Sequence, residues 1–124
     1  AVKAIRPFIT EKTLVVVSSD FTHYGYRFGY LPFTNNVKAN LKKLDMGAVD
    51  YILKKDLSGF LKYVYNTKIT ICGRKPIGIL LQLLPPEAEG ALLNYYTSGD
   101  LLNDYTSTVS YVSLIFRLQK RKKP

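Results

Sequence analysis

Two short stretches of this chain carry side chains capable of chemistry. The first, Ser18-Ser19-Asp20-Phe21-Thr22-His23, follows the apolar run Leu14-Val15-Val16-Val17 and holds the only histidine. A carboxylate and an imidazole three positions apart can serve as an acid–base pair, as two metal ligands or as a structural hydrogen bond. The second stretch, Ile71-Cys72-Gly73-Arg74-Lys75-Pro76, holds the only cysteine. Proline is favoured in the first turn of a helix and residues 77–84 are almost wholly apolar, so Cys72 is expected just ahead of a buried helix. Unpaired amides and the positive end of the helix dipole favour a thiolate there, and Arg74 adds to the effect. The other reading makes Cys72 a small buried apolar residue. Asp20, His23 and Cys72 are expected to converge, because strand C-termini and helix N-termini face the same edge of an α/β sheet.

The elements that must position these groups follow from the hydrophobic pattern. Leu14 to Val17 is continuous and β-branched, which predicts a strand over residues 13–19 covered on both faces, as in a parallel sheet. The aromatic, glycine-rich segment from Tyr24 to Tyr30 reads as a loop with packing aromatics. Val37, Leu41, Leu44, Ala48 and Ile52 fall on one face of a helix over residues 37–55, with Lys38, Lys42, Lys43 and Asp45 left to solvent. Asp56 offers an N-cap to a shorter helix whose apolar face is Leu57, Phe60, Leu61 and Val64 and which ends at Asn66-Thr67. A helix over residues 75–84 stops at Pro85-Pro86. Two strands close the chain, residues 91–97 and 107–117, joined by a loop at Ser98-Gly99-Asp100 and Asn103-Asp104. No internal repeat is present, and the order predicts an α/β fold with a mixed sheet and helices packed on it.

Composition narrows the class. The chain has 124 residues, 47% hydrophobic and 22% charged, the profile of one globular domain. Its net charge is +9, but Arg117, Lys120, Arg121, Lys122 and Lys123 crowd the last eight residues, so the remainder has an ordinary surface. A lone cysteine cannot form an internal disulfide, which fits a reducing compartment and a cytoplasmic or nuclear location. No apolar run reaches the ~18 residues of a membrane span, and no signal-peptide pattern opens the chain. It begins at Ala1 rather than Met, as a processed protein or a fragment of a longer one would.

Several motifs in order resemble the Memo family. They are Ser18-Ser19-Asp20-Phe21-x-His23-Tyr24-Gly25-x-Arg27-Phe28, then Tyr65-Asn66-Thr67 leading to Ile71-Cys72-Gly73-Arg74-x-Pro76-Ile77-Gly78, then Leu93-Asn94-Tyr95 and Ser107-x-Val109-Ser110-Tyr111. Memo proteins resemble class III extradiol dioxygenases, non-haem iron enzymes of α/β fold that open catechol rings. The resemblance implies a metal pocket, with iron or copper, built from two histidines of the N-terminal half and the cysteine of the Cys-Gly-Arg motif. The Asp and His of the Ser-Ser-Asp-x-x-His motif stand beside them. The matching residues here are Cys72 as metal ligand and Asp20 and His23 as catalytic or supporting groups, with Ser19, Tyr24 and Arg74 as pocket support. The two N-terminal histidines have no counterpart, so residues 1–116 resemble the C-terminal half of the domain and residues 117–124 form a basic tail.

Three functions follow. The first is a metal-dependent, dioxygenase-like oxidoreductase whose pocket is completed by a missing N-terminal half or a partner chain, this chain alone being inactive. Its apolar first strand would leave an edge open to that partner or to self-association. The second is a phosphotyrosine-peptide module for signalling and cell motility, an activity the resemblance also implies. The third is polyanion binding through the tail and the tyrosines; no nucleic-acid motif accompanies them, and a terminal charge run is ordinarily a solvated tail.

Overall fold

The computed structural model describes residues 1–118; the tail beyond them lies outside the described residues. A short helix, α1 (Val2–Ile5), leads into a 3-10 turn and a segment without regular secondary structure. The chain then forms strand β1 (His23–Gly25), helices α2 (Val37–Leu53), α3 (Leu57–Thr67) and α4 (Arg74–Leu83), strand β2 (Glu89–Thr97), helix α5 (Ser98–Leu102) and strand β3 (Ser107–Arg117). The three strands form one sheet in the order β1-β3-β2, and both pairings are antiparallel. The α/β class with helices packed on a sheet is therefore as expected, whereas the parallel arrangement is not.

The expected strand over residues 13–19 does not form. That segment carries no regular secondary structure, and Leu14 and Val16 are 85% and 77% exposed. A β-branched run becomes a strand only when another backbone satisfies its amides and carbonyls. Pairing begins later, where Phe21 N–H donates to Ser110 O and Ser110 N–H donates to Thr22 O, each at 2.9 Å.

Helix α2 buries Leu41, Ala48, Val49 and Ile52 and leaves Lys38, Lys42 and Lys43 exposed, as its periodicity predicts. Asp45 departs from the expectation and is fully buried. It sits four residues after Leu41 and three before Ala48, which places it on the apolar face. In α3 the Asp56 side chain caps Gly59 N–H at 2.9 Å and Phe60 is fully buried, but Leu61 is half-exposed. Ile52, Phe60, Ile71 and Leu81 form the centre of the core, against which Val112, Leu114 and Phe116 of β3 pack. The opposite face of β3 carries Tyr111, which meets Tyr96 of β2 with ring centroids 5.1 Å apart, and the half-exposed Ile115.

The segment expected as a loop after β2 is instead helix α5. Thr97 accepts from Asp100 N–H and the Asp100 carboxylate accepts from Thr97 N–H, both at 3.0 Å, a reciprocal capping box. The Tyr105 hydroxyl on the Asp100 carboxylate, with the Thr97 amide and Lys38 ammonium beside it, holds that group down to about 2. A carboxylate depressed on folding contributes stability that is fully present above its ordinary value of about 4 and is lost as pH falls through about 2. Asp100→Asn should therefore be less stable than the parent near neutral pH, with the gap closing across that acid window. Urea titrations of both proteins through that range check it, and a pH-independent gap contradicts it.

Candidate functional site

His23 opens β1 with one edge toward β3 and the other toward Thr70, in the link between α3 and α4. On that second edge, side-chain and backbone groups of Thr70 take the place of another strand. His23 N–H donates to Thr70 Oγ1 at 2.7 Å, and Thr70 Oγ1 donates to His23 O at 2.9 Å. His23 Nδ1 lies 3.0 Å from Thr70 O. A carbonyl only accepts, so Nδ1 carries a proton, and in the neutral ring Nε2 is the atom that keeps its lone pair. Phe28 packs edge-on against the ring at 5.3 Å, and Nε2 faces Asp20 Oδ2 at 4.0 Å, beyond hydrogen-bond reach.

Cys72 reaches the same turn from the other side. Its Sγ accepts from Asp20 N–H at 3.3 Å and lies 3.7 Å from both Ser19 Oγ and Asp20 O. Ser19 Oγ donates to Asp20 O at 2.7 Å and accepts from Gly73 N–H at 2.8 Å. The serine proton is thus committed, and the hydroxyl ties the turn to the start of α4. That approach is close enough that a Cβ on Gly73 would collide with the Ser19 side chain. Cys72 lies just ahead of α4 and is exposed, so it is not the small core residue of the alternative reading.

Asp20, His23 and Cys72 therefore meet around one turn, with Asp20 as the common neighbour: its backbone touches the thiol and its carboxylate faces the imidazole. Ser19 lies between them. Tyr24 lies on the other face of β1, buried, stacked on Phe33 at 5.4 Å and donating its hydroxyl to Phe33 O. Adjacent strand residues point to opposite faces, so Tyr24 supports the turn through the core. Arg74 is exposed and lines an open cleft of about 480 Å³ with Val64, Tyr65, Asn66, Lys68 and Ile69.

Two neighbours of the site carried no signal that the motifs alone could reveal. One is Thr70. The other is the buried Asp45, whose Oδ1 accepts from Thr22 N–H at 3.3 Å and Thr22 Oγ1 at 2.5 Å, and whose Oδ2 accepts from Tyr95 OH at 2.7 Å. Burial raises its pKa, while the hydrogen bonds from Thr22 and Tyr95 and the nearby dipole of the Ser110 hydroxyl oppose the rise. Ser110 Oγ is itself buried and meets no atom in hydrogen-bond geometry. Burial, followed by the Asp45 charge, also pushes the Tyr95 hydroxyl up. The helical spacing Leu41, Asp45, Ala48 was the available signal for Asp45.

A thiolate, an imidazole and a carboxylate suit iron, copper or zinc, but at most three donors fall short of a closed site. Among the described residues no group of three or more His, Cys, Asp or Glu side chains is arranged to hold a metal ion. The donors of this chain thus do not by themselves fit a complete metal centre. No helix among these residues is long and apolar enough to cross a membrane.

Comparison with known proteins agrees with these motifs. The profile of the family described as "Memo-like protein" matches residues 2–115. A MEMO1 family protein of Thermococcus kodakarensis is 31% identical over 112 residues, covering 86% of this chain and 38% of the relative. A second, from Pyrococcus abyssi, is 33% identical over 109 residues, covering 84% and 38%. Protein MEMO1 of Xenopus tropicalis is 32% identical over 124 residues, covering 90% and 41%. The chain spans about two-fifths of the length of these relatives.

Proposed function

The chain belongs to the Memo family, and from that membership we propose that it supplies one wall of a non-haem metal pocket, iron or copper, in a dioxygenase-like redox protein. Cys72 is the metal ligand of this wall, and Asp20 and His23 are the groups beside it. The observation that carries the reading is the fixed tautomer of His23. With Nδ1 committed to Thr70 O, the neutral ring presents its Nε2 lone pair toward Asp20, whose backbone amide in turn meets the exposed thiol. Hydrogen bonding of the second ring nitrogen to a carbonyl is the usual way a metal-ligating or acid–base histidine is oriented. Titration with cobalt(II) tests it: a thiolate-to-cobalt absorption band should appear and vanish in Cys72→Ser. A chain that gives no such band, or a band indifferent to Cys72, contradicts the assignment.

The remaining donors come from a segment outside this chain, on the same or another polypeptide. Exposed Leu14 and Val16 and the outer sheet face around Tyr96, Tyr111 and Ile115 are the surfaces such a segment would cover. The location this reading expects is cytoplasmic or nuclear.

A second reading, a phosphotyrosine-peptide module, is favoured by the cleft beside the site. Lys68 and Arg74 are both exposed on its rim, and Tyr65 and Asn66 stand with them. Peptide binding that survives Cys72→Ala and is lost in Lys68→Ala and Arg74→Ala would favour this reading over the metal pocket.

A further inference from the structure

We propose that Asp45 is a positioning residue for the pocket: from inside helix α2 it holds Thr22, and through Thr22 it sets the flanking Asp20–His23 turn in place. What the position serves rests on the metal-pocket reading; the geometry stands apart from it.

A fully buried carboxylate is costly unless its lone pairs are satisfied. Asp45 has no cationic partner among the described residues, so its stabilisation comes from hydrogen-bond donors alone. Two of them belong to Thr22, the backbone N–H and the hydroxyl, both on Oδ1. The third is the Tyr95 hydroxyl of β2 on Oδ2. Helix, sheet and turn thus meet at one side chain.

Thr22 is the residue through which the turn is fixed on every side. Its carbonyl accepts from Ser110 N–H of β3 while its amide and hydroxyl are taken by Asp45. The next residue is His23, whose own anchor is Thr70. Without Asp45 the backbone pairing with Ser110 would still tie the turn to β3, but the Thr22 amide and hydroxyl would be left free to rotate, and with them the peptide that aims the imidazole at the Thr70 carbonyl. The Asp45 clamp removes that freedom by gripping the preceding residue in two places. Charge-assisted hydrogen bonds of this kind are the stronger ones, which suits a carboxylate rather than an amide at this position.

His23 is the only histidine, so its ring nitrogens give unambiguous nitrogen-15 NMR signals. In the parent chain they should report the proton on Nδ1. In Asp45→Asn and Thr22→Val the signals should move toward the form protonated on Nε2, with the fold retained by circular dichroism. Thr22→Ser keeps the hydroxyl donor and should match the parent. Cobalt(II) affinity should fall about tenfold in the first two variants, the loss typical when a supporting hydrogen bond of a metal site is removed. Should Asp45→Asn fail to fold, Thr22→Val decides on the same signals. Folded variants with the ring signals of the parent overturn the proposal. If the parent chain gives no cobalt band at Cys72, the metal reading fails while the ring signals still judge Asp45.

Discussion

Gly25→Ala should destabilise the chain by about 3 kcal/mol or more, a large share of the roughly 5–15 kcal/mol that holds a typical domain together. Gly25 ends β1 at φ +117° and ψ 174°, a region that side chains of L-residues essentially do not adopt. Space is closed as well. An added Cβ would meet the Thr106 carbonyl and the Ser107 Cα, and neither backbone group can swing away as a side chain would. Gly25 also exchanges backbone hydrogen bonds with Tyr30, which turns the chain back after the 3-10 segment Tyr26–Phe28. The urea midpoint should fall by more than about 1 M at an ordinary slope of 1–3 kcal/mol/M. A variant within about 0.5 kcal/mol of the parent, the range of a bland surface change, contradicts the account of this corner.

Thr70→Val should cost about 2–3 kcal/mol and loosen the His23 backbone at the edge of β1. Valine keeps the shape but removes the acceptor of His23 N–H and the donor to His23 O. An unsatisfied partly buried donor costs about 1–3 kcal/mol, and the orphaned carbonyl adds to it. The contact between Nδ1 and Thr70 O and the edge-on packing of Phe28 would still hold the ring. Thr70→Ser retains the hydroxyl and should lie within about 1 kcal/mol of the parent. Chemical denaturation of the three proteins measures the difference. Equal stability of the valine and serine variants would show that the hydroxyl does not anchor β1.

The helices were legible because each carries its own instructions: a 3.6-residue stripe in α2, the Asp56 cap of α3, and Pro76 in the first turn of α4. The final strand was legible for the same kind of reason, since Ser107 to Arg117 alternates between core and outer face along its length. Leu14 to Val17 misled because an apolar run announces that it should be covered without saying by what; of its residues Val17 packs against the core, while Leu14 and Val16 stand exposed. Asp45 misled because a charge on a helix is ordinarily solvated; here three donors from Thr22 and Tyr95 make burial possible. Helix α5 hid in a short polar stretch whose Thr97-x-x-Asp100 spacing is a cap signal too brief to stand out. Within the site, Asp20, His23 and Cys72 could be picked by chemistry, but Thr70 could not, since a threonine gains its role only from what folds against it.

The central claim is that this chain supplies part of a metal pocket whose other donors lie elsewhere. Titration of the chain with iron(II) or copper, without and with free imidazole, tests it most directly. The claim predicts weak binding of low stoichiometry for the chain alone, strengthened when imidazole supplies the absent ligands, lost in Cys72→Ser and weakened in His23→Ala. A tight one-to-one complex without imidazole, or binding indifferent to both substitutions, would contradict it.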